Sequence, residues 1–75
     1  MHAWVSFINK TKYKTIYLQT EEERPGIMLL HNVPSQYIYT SAGTVSADIF
    51  SPSGIKLKTT TFSVHPAKLQ TVTLR

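Results

Sequence analysis

Chemistry in this chain would have to come from a small set of ionisable and nucleophilic side chains. Three histidines, His2, His31 and His65, stand far apart, without the short fixed spacings that metal ligands show. His31 precedes Asn32 and His65 precedes Pro66, both in expected loops, so they read as structural or solvent-facing groups. A Ser-His-Asp arrangement needs an acid to orient its base, and the one aspartate, Asp48, falls mid-strand on an expected solvent face. Glu21, Glu22 and Glu23 share one loop, which holds no pair of carboxylates at a defined separation across a substrate. No Gly-x-Ser-x-Gly elbow occurs, and 3 glycines make no phosphate-cradling loop. The reading is therefore non-enzymatic, with no catalytic residue, no metal ligand and no cofactor assigned.

The pattern that can recognise something is aromatic and basic. Tyr13, Tyr17, Tyr37 and Tyr39 fall on expected outward faces, interleaved with Lys12, Lys14, Lys56 and Lys58. Such a surface can stack sugars or bases and pair with anionic groups. The competing explanation is that tyrosine and threonine cover exposed sheet and pair across strands. Trp4, between Ala3 and the apolar Val5 and Phe7, reads as a core or interface anchor rather than a ligand platform. The formal net charge of +4 favours phosphate, anionic sugar or an acidic protein, although lysines also confer solubility and protect sheet edges. Asn9-Lys-Thr11 matches the N-glycosylation acceptor pattern, which matters only in a eukaryotic secretory setting.

The elements that must position these residues are strands. Alternating or short apolar runs at 3–8, 13–19, 27–30, 36–40, 44–50, 55–62 and 69–75 are each bounded by turn residues, the signature of half-buried strands. The stretch 36–62 is the most legible. Ser51-Pro-Ser-Gly54 presets φ with Pro52 and closes with Gly54, and Ser41-Ala-Gly43 marks a second turn. Ile38, Val45, Ala47, Ile49, Ile55 and Leu57 form the expected inward side. Phe62 and Val64 have the opposite parity from Ile55 and Leu57, which requires a bulge or a strand end near Thr60. The first two runs should pair as a hairpin. Residues 20–26 form a loop in which Pro25 would stop any helical turn over 21–24. The expected fold is all-β, a small immunoglobulin-like β-sandwich of about seven short antiparallel strands.

Length sets further bounds. Seventy-five residues make a single domain over 1–75, near the lower limit for folding without disulfides or metals. With no cysteine, extra stability would have to come from a partner chain, self-association into a homo-oligomer, or neighbouring domains of a longer parent protein. No run approaches the roughly 18 apolar residues of a membrane-spanning helix, so no transmembrane segment is expected. The opening Met-His-Ala-Trp-Val lacks the basic and apolar regions of a signal peptide, so export would need a leader outside these residues.

The opening VSFINKTKYKTIYLQT, the later NVPSQYIYTSAGTVSADIFSPSG and the final LQTVTL resemble small bacterial exported β-sandwich domains. The marks are Asn9 after an alternating run and Ser41-Ala-Gly43 before another. Two families share the pattern. One is the DUF4397 domain; the other is the accessory protein family of alginate O-acetylation, which is similar from Ala3 to Leu74. The resemblance carries no catalytic residue. It implies a periplasmic or cell-surface binding and assembly module, accessory to exopolysaccharide acetylation, that contacts a protein partner or polysaccharide. The alternative expectations are a cytoplasmic nucleic-acid binder using the Tyr/Lys face, and a structural subunit of an oligomer.

Overall fold

Alternation along the chain resolves into seven strands: β1 (His2–Asn9), β2 (Thr15–Gln19), β3 (Ile27–Leu30), β4 (Ile38–Ser41), β5 (Gly43–Phe50), β6 (Lys56–Val64) and β7 (Leu69–Leu74). The computed structural model describes residues 1–24 and 26–75. Pro25 lies outside them; residues 21–24 form bends, with no helical turn. Two sheets result, one of three strands ordered β4-β1-β7 and one of four ordered β3-β2-β5-β6. The fold is a small all-β sandwich. Its four-plus-three division matches an immunoglobulin constant-type domain, but its order is different, because there the first, second, fifth and fourth strands share a sheet.

Two pairings depart from expectation. β1 and β2 are not a hairpin: β1 pairs with β4 and β7, while β2 pairs with β3 and β5. The segment between them crosses from one sheet to the other. In addition, β1 and β7 run parallel, the one parallel pair among the named strands. Ser41-Ala-Gly43 is likewise a corner between sheets, with Gly43 at φ +114°, a backbone setting that suits glycine.

The core collects one parity from each strand. Ala3, Val5 and Phe7 of β1 meet Ile16, Leu18, Leu29, Ala47, Ile49, Val64 and Leu74, all buried. Phe62 packs edge-on against Phe7 at 5.3 Å between ring centroids. Of the expected inward residues, Ala47 and Ile49 are buried, and Ile38, Val45 and Leu57 pack half-buried against them. Ile55 is the exception, at 64% exposed. Its carbonyl accepts the Ser51 N–H (2.8 Å) and its N–H donates to Ser51 Oγ (3.1 Å). These bonds make Ile55 the last residue of the turn and leave its side chain outside. The parity switch in β6 also sits earlier than expected. Ile49 pairs with Lys58 and Phe50 with Lys56, so Leu57 is the extra residue. A bulge of this kind bends the strand and re-aims the side chains beyond it. Gly26, at φ +121°, lies so close to β2 that a Cβ there would sit 2.9 Å from the Leu18 carbonyl oxygen.

One buried polar side chain ties the layers together. Asn9 is fully buried. Its Nδ2 donates to the carbonyls of Tyr13 (3.1 Å) and Leu29 (3.4 Å). Its Oδ1 accepts from the Thr11 N–H (2.9 Å) and the Thr11 hydroxyl (2.6 Å). The Asn9 carbonyl takes the Asn32 N–H at 2.9 Å, and Lys10 N–H continues the β1–β7 ladder to the Leu74 carbonyl at 2.7 Å. The amide nitrogen that a glycan would need is thus enclosed and engaged, so the acceptor pattern is structural in the folded chain.

Replacing Asn9 by Ala would leave buried acceptors and donors unmatched, each costing about 1–3 kcal/mol. Asn9→Ala is expected to lower unfolding free energy in urea by about 2–4 kcal/mol. Thr11→Ser, which keeps both donors, should cost under about 1 kcal/mol.

Candidate functional site: an aromatic face and a basic cleft

The outer face of the three-stranded sheet carries a cluster of rings. Register places Trp4 directly opposite Tyr39 on β4 and Leu69 on β7, so the three form one row across the sheet. Side chains opposed in register share a face. Tyr39 bridges two partners: its ring stacks on His2 at 4.8 Å with an interplanar angle of 18°, and meets the Trp4 ring at 5.0 Å, tilted 44°. Trp4, Tyr37, Tyr39 and Leu69 are all large apolar groups left exposed. A shallow depression of about 260 Å³ runs between His2, Trp4, Tyr39, Lys68 and Leu69. Rings held by mutual stacking present area at little further entropic cost, because they are already ordered.

A carboxylate braces this face from the side. Glu22, in the loop after β2, accepts the Ser41 N–H at 2.9 Å and the Thr40 hydroxyl at 3.2 Å. Its Oε2 lies 3.7 Å from His2 Nε2. Hydrogen bonding from Ser41, side chain first and then main chain, holds the carboxyl below its ordinary value of 4.5, with Thr40 and His2 adding to the effect. Glu22 therefore links the loop of the four-stranded sheet to β4 and to the ring stack of the other sheet.

The Tyr and Lys residues singled out in the sequence do not form one surface. Tyr39 belongs to the aromatic face, and Tyr37, just before β4, is exposed. Tyr17 lies on the outer face of the opposite sheet, between Met28 and Phe50 in register. Lys56 pairs with Asp48 at 3.3 Å, whose carboxyl is lowered first by the Thr59 hydroxyl bond (2.8 Å) and then by Lys56. Lys14 is exposed, its carbonyl taking the His31 N–H. Lys12, Tyr13 and Lys58 do come together, in a cleft of about 370 Å³ that Lys10, Thr11, Ile49, Leu57 and Arg75 also line.

The cleft lies where β1, β5 and β7 finish; the loop with Glu21, Glu22 and Glu23 lies at the other end, beside the start of β1. Sequence reasoning missed His2 and Leu69 as parts of a surface, and Lys10 and Arg75 as parts of a cleft; for Trp4 it left core and interface open. Trp4 is not a core anchor, at 48% exposed; its even-numbered position opposite the buried Ala3, Val5 and Phe7 was the available signal. The register that gathers these residues links strands far apart in the chain. Among the described residues, no group of three or more His, Cys, Asp or Glu could hold a metal ion, and no helix is long and apolar enough to cross a membrane.

The protein is thus a small two-sheet β-sandwich with an aromatic face and a basic cleft. Comparison with protein-family models, curated proteins and solved structures finds no match in any of the three.

A group whose carboxyl is lowered on folding contributes stability above its ordinary value and loses it as pH falls through the folded value. Glu22 is expected to follow this course. The stability difference between the native chain and Glu22→Gln should be present above the ordinary Glu22 value of 4.5 and shrink as pH falls below it, as read by urea unfolding across pH.

Proposed function

We propose that the protein is a non-enzymatic binding module of the cell envelope that docks a protein partner through the aromatic face of its three-stranded sheet. The observation that carries this reading is the His2–Tyr39–Trp4 stack, with ring centroids 4.8 and 5.0 Å apart on a solvent-facing sheet surface. Tryptophan and tyrosine dominate the energetics of protein interfaces because a rigid ring buries large area with few torsions to fix. Leu69 extends the same face, and Lys68 stands at its rim. The envelope setting, and a place beside exopolysaccharide acetylation within it, rest on the resemblance of the sequence to exported sandwich domains.

Trp4 is the single tryptophan, which makes the face directly readable. A photoreactive benzoyl-phenylalanine at position 4 should give, in the cells that make the protein, one discrete cross-linked product with a second protein. Tyr39→Ala should abolish that product while changing stability by only about 0.5 kcal/mol, as exposed substitutions do. A product of twice the chain's own mass would replace this reading with self-association. A shift of Trp4 emission on titration with oligosaccharides would replace it with sugar stacking.

A further inference from the structure

The basic cleft goes beyond the docking reading and stands independently of it. Three segments build it. Lys10, Lys12 and Tyr13 come from the crossing after β1, Leu57 and Lys58 from the bulged start of β6, and Arg75 follows β7; Ile49 forms part of the wall. The bulge matters here. By making Leu57 the extra residue, it puts Lys58 in register with the buried Ile49, so that lysine stands at the core-facing mouth of the sandwich.

For Lys10 and Lys12 the contact that fixes the cation involves a neutral group. Lys10 Nζ donates to Asn32 Oδ1 at 2.6 Å. Lys12 Nζ lies 5.4 Å from the centre of the Tyr13 ring. Lys58 Nζ donates to the Arg75 main-chain oxygen. Neutral partners orient a charge without cancelling it. No carboxylate side chain lines the cleft. Among the described residues, Glu22 and Asp48 are committed to His2, Thr40, Ser41, Lys56 and Thr59. Lys10 and Lys12, with Lys58 and Arg75 beside them, give the concavity a positive lining that raises the local concentration of anions.

We infer that this cleft binds a phosphate monoester carried on a ring, with the phosphate among Lys10, Lys12, Lys58 and Arg75 and the ring against Tyr13 and Leu57. A phosphate carries about 1.5 to 2 negative charges near pH 7 and three strong acceptor oxygens, which suits three ammonium groups and one guanidinium better than a single carboxylate would. A cleft of about 370 Å³ falls within the roughly 300–1,000 Å³ typical of small-molecule sites. The ring belongs either to a sugar or to a nucleoside; the phosphate is the shared chemistry.

The test is a titration of the intact chain at low salt, followed by amide NMR, with glucose 1-phosphate, AMP, glucuronate and inorganic phosphate. The expected result is saturable shifts confined to residues 10–13, 57–58 and 75, with at least one monoester binding more tightly than inorganic phosphate or glucuronate. The stronger monoester then identifies the ring as sugar or nucleoside. The double variant Lys12→Ala with Lys58→Ala, both exposed and outside the core, should keep the native spectrum elsewhere and lose at least about tenfold in affinity, by the scale of a lost charged hydrogen bond. Tyr13→Phe should leave monoester affinity within about twofold, whereas Tyr13→Ala should reduce it toward that of inorganic phosphate. Shifts spread over all lysines, equal affinity for glucuronate, or unchanged affinity in the double variant would overturn the assignment.

Discussion

The enclosed amide of Asn9 decides how the two sheets meet. A strand leaving a sheet must satisfy its last backbone groups somewhere, and a buried crossing leaves no water to do it. Here one side chain supplies both donors and acceptors, binding Tyr13 and Leu29 carbonyls on one side and both donors of Thr11 on the other. Around that point the chain turns out of the three-stranded sheet and enters the four-stranded one, and His31 bridges back to Asn9. A second seam works similarly higher on β1, where Ser35 exchanges main-chain and hydroxyl bonds with Ser6 and Phe7. A chain this short buries only about 60% of its unfolded surface. Polar seams therefore supplement its apolar core.

Much of the fold was legible because period-2 alternation depends on local burial, and local burial is written residue by residue. Ala3, Val5 and Phe7 against Trp4, or Val45, Ala47 and Ile49 against Ser46 and Asp48, declare strands wherever they sit. Partner choice is another matter. Whether β1 pairs with β2 or with β4 turns on the geometry of residues 10–14, where the decisive Asn9–Thr11 bonds look, in sequence, like an ordinary polar turn. Ile55 departs from expectation for a related reason: parity assigns an apolar residue next to a strong turn to the core, although its backbone is already committed to Ser51.

The candidate sites repeat this contrast. Four tyrosines and four lysines were visible as types, and grouping them required register. One tyrosine, Tyr39, joined Trp4 and His2 on one sheet, another and two lysines joined the cleft, and Lys56 was neutralised by Asp48. The cleft depends on a single inserted residue in β6, which the change of parity between Leu57 and Phe62 announces in sequence without fixing its position at Leu57.

The placement of charge along the molecule has a dynamic consequence. Lys10, Lys12, Lys14, Lys58 and Arg75 crowd one end of the strands, whereas the three consecutive glutamates, offset in part by Lys68, occupy the other. Such a body has a permanent dipole along its long direction and experiences a torque near any extended negative surface. It would approach basic end first, standing upright with the ring-bearing face turned sideways. Diffusion would then deliver that face already oriented toward neighbours lying in the plane of the surface, so that a three-dimensional search becomes, within a Debye length of about 8 Å at physiological salt, largely a search about one axis.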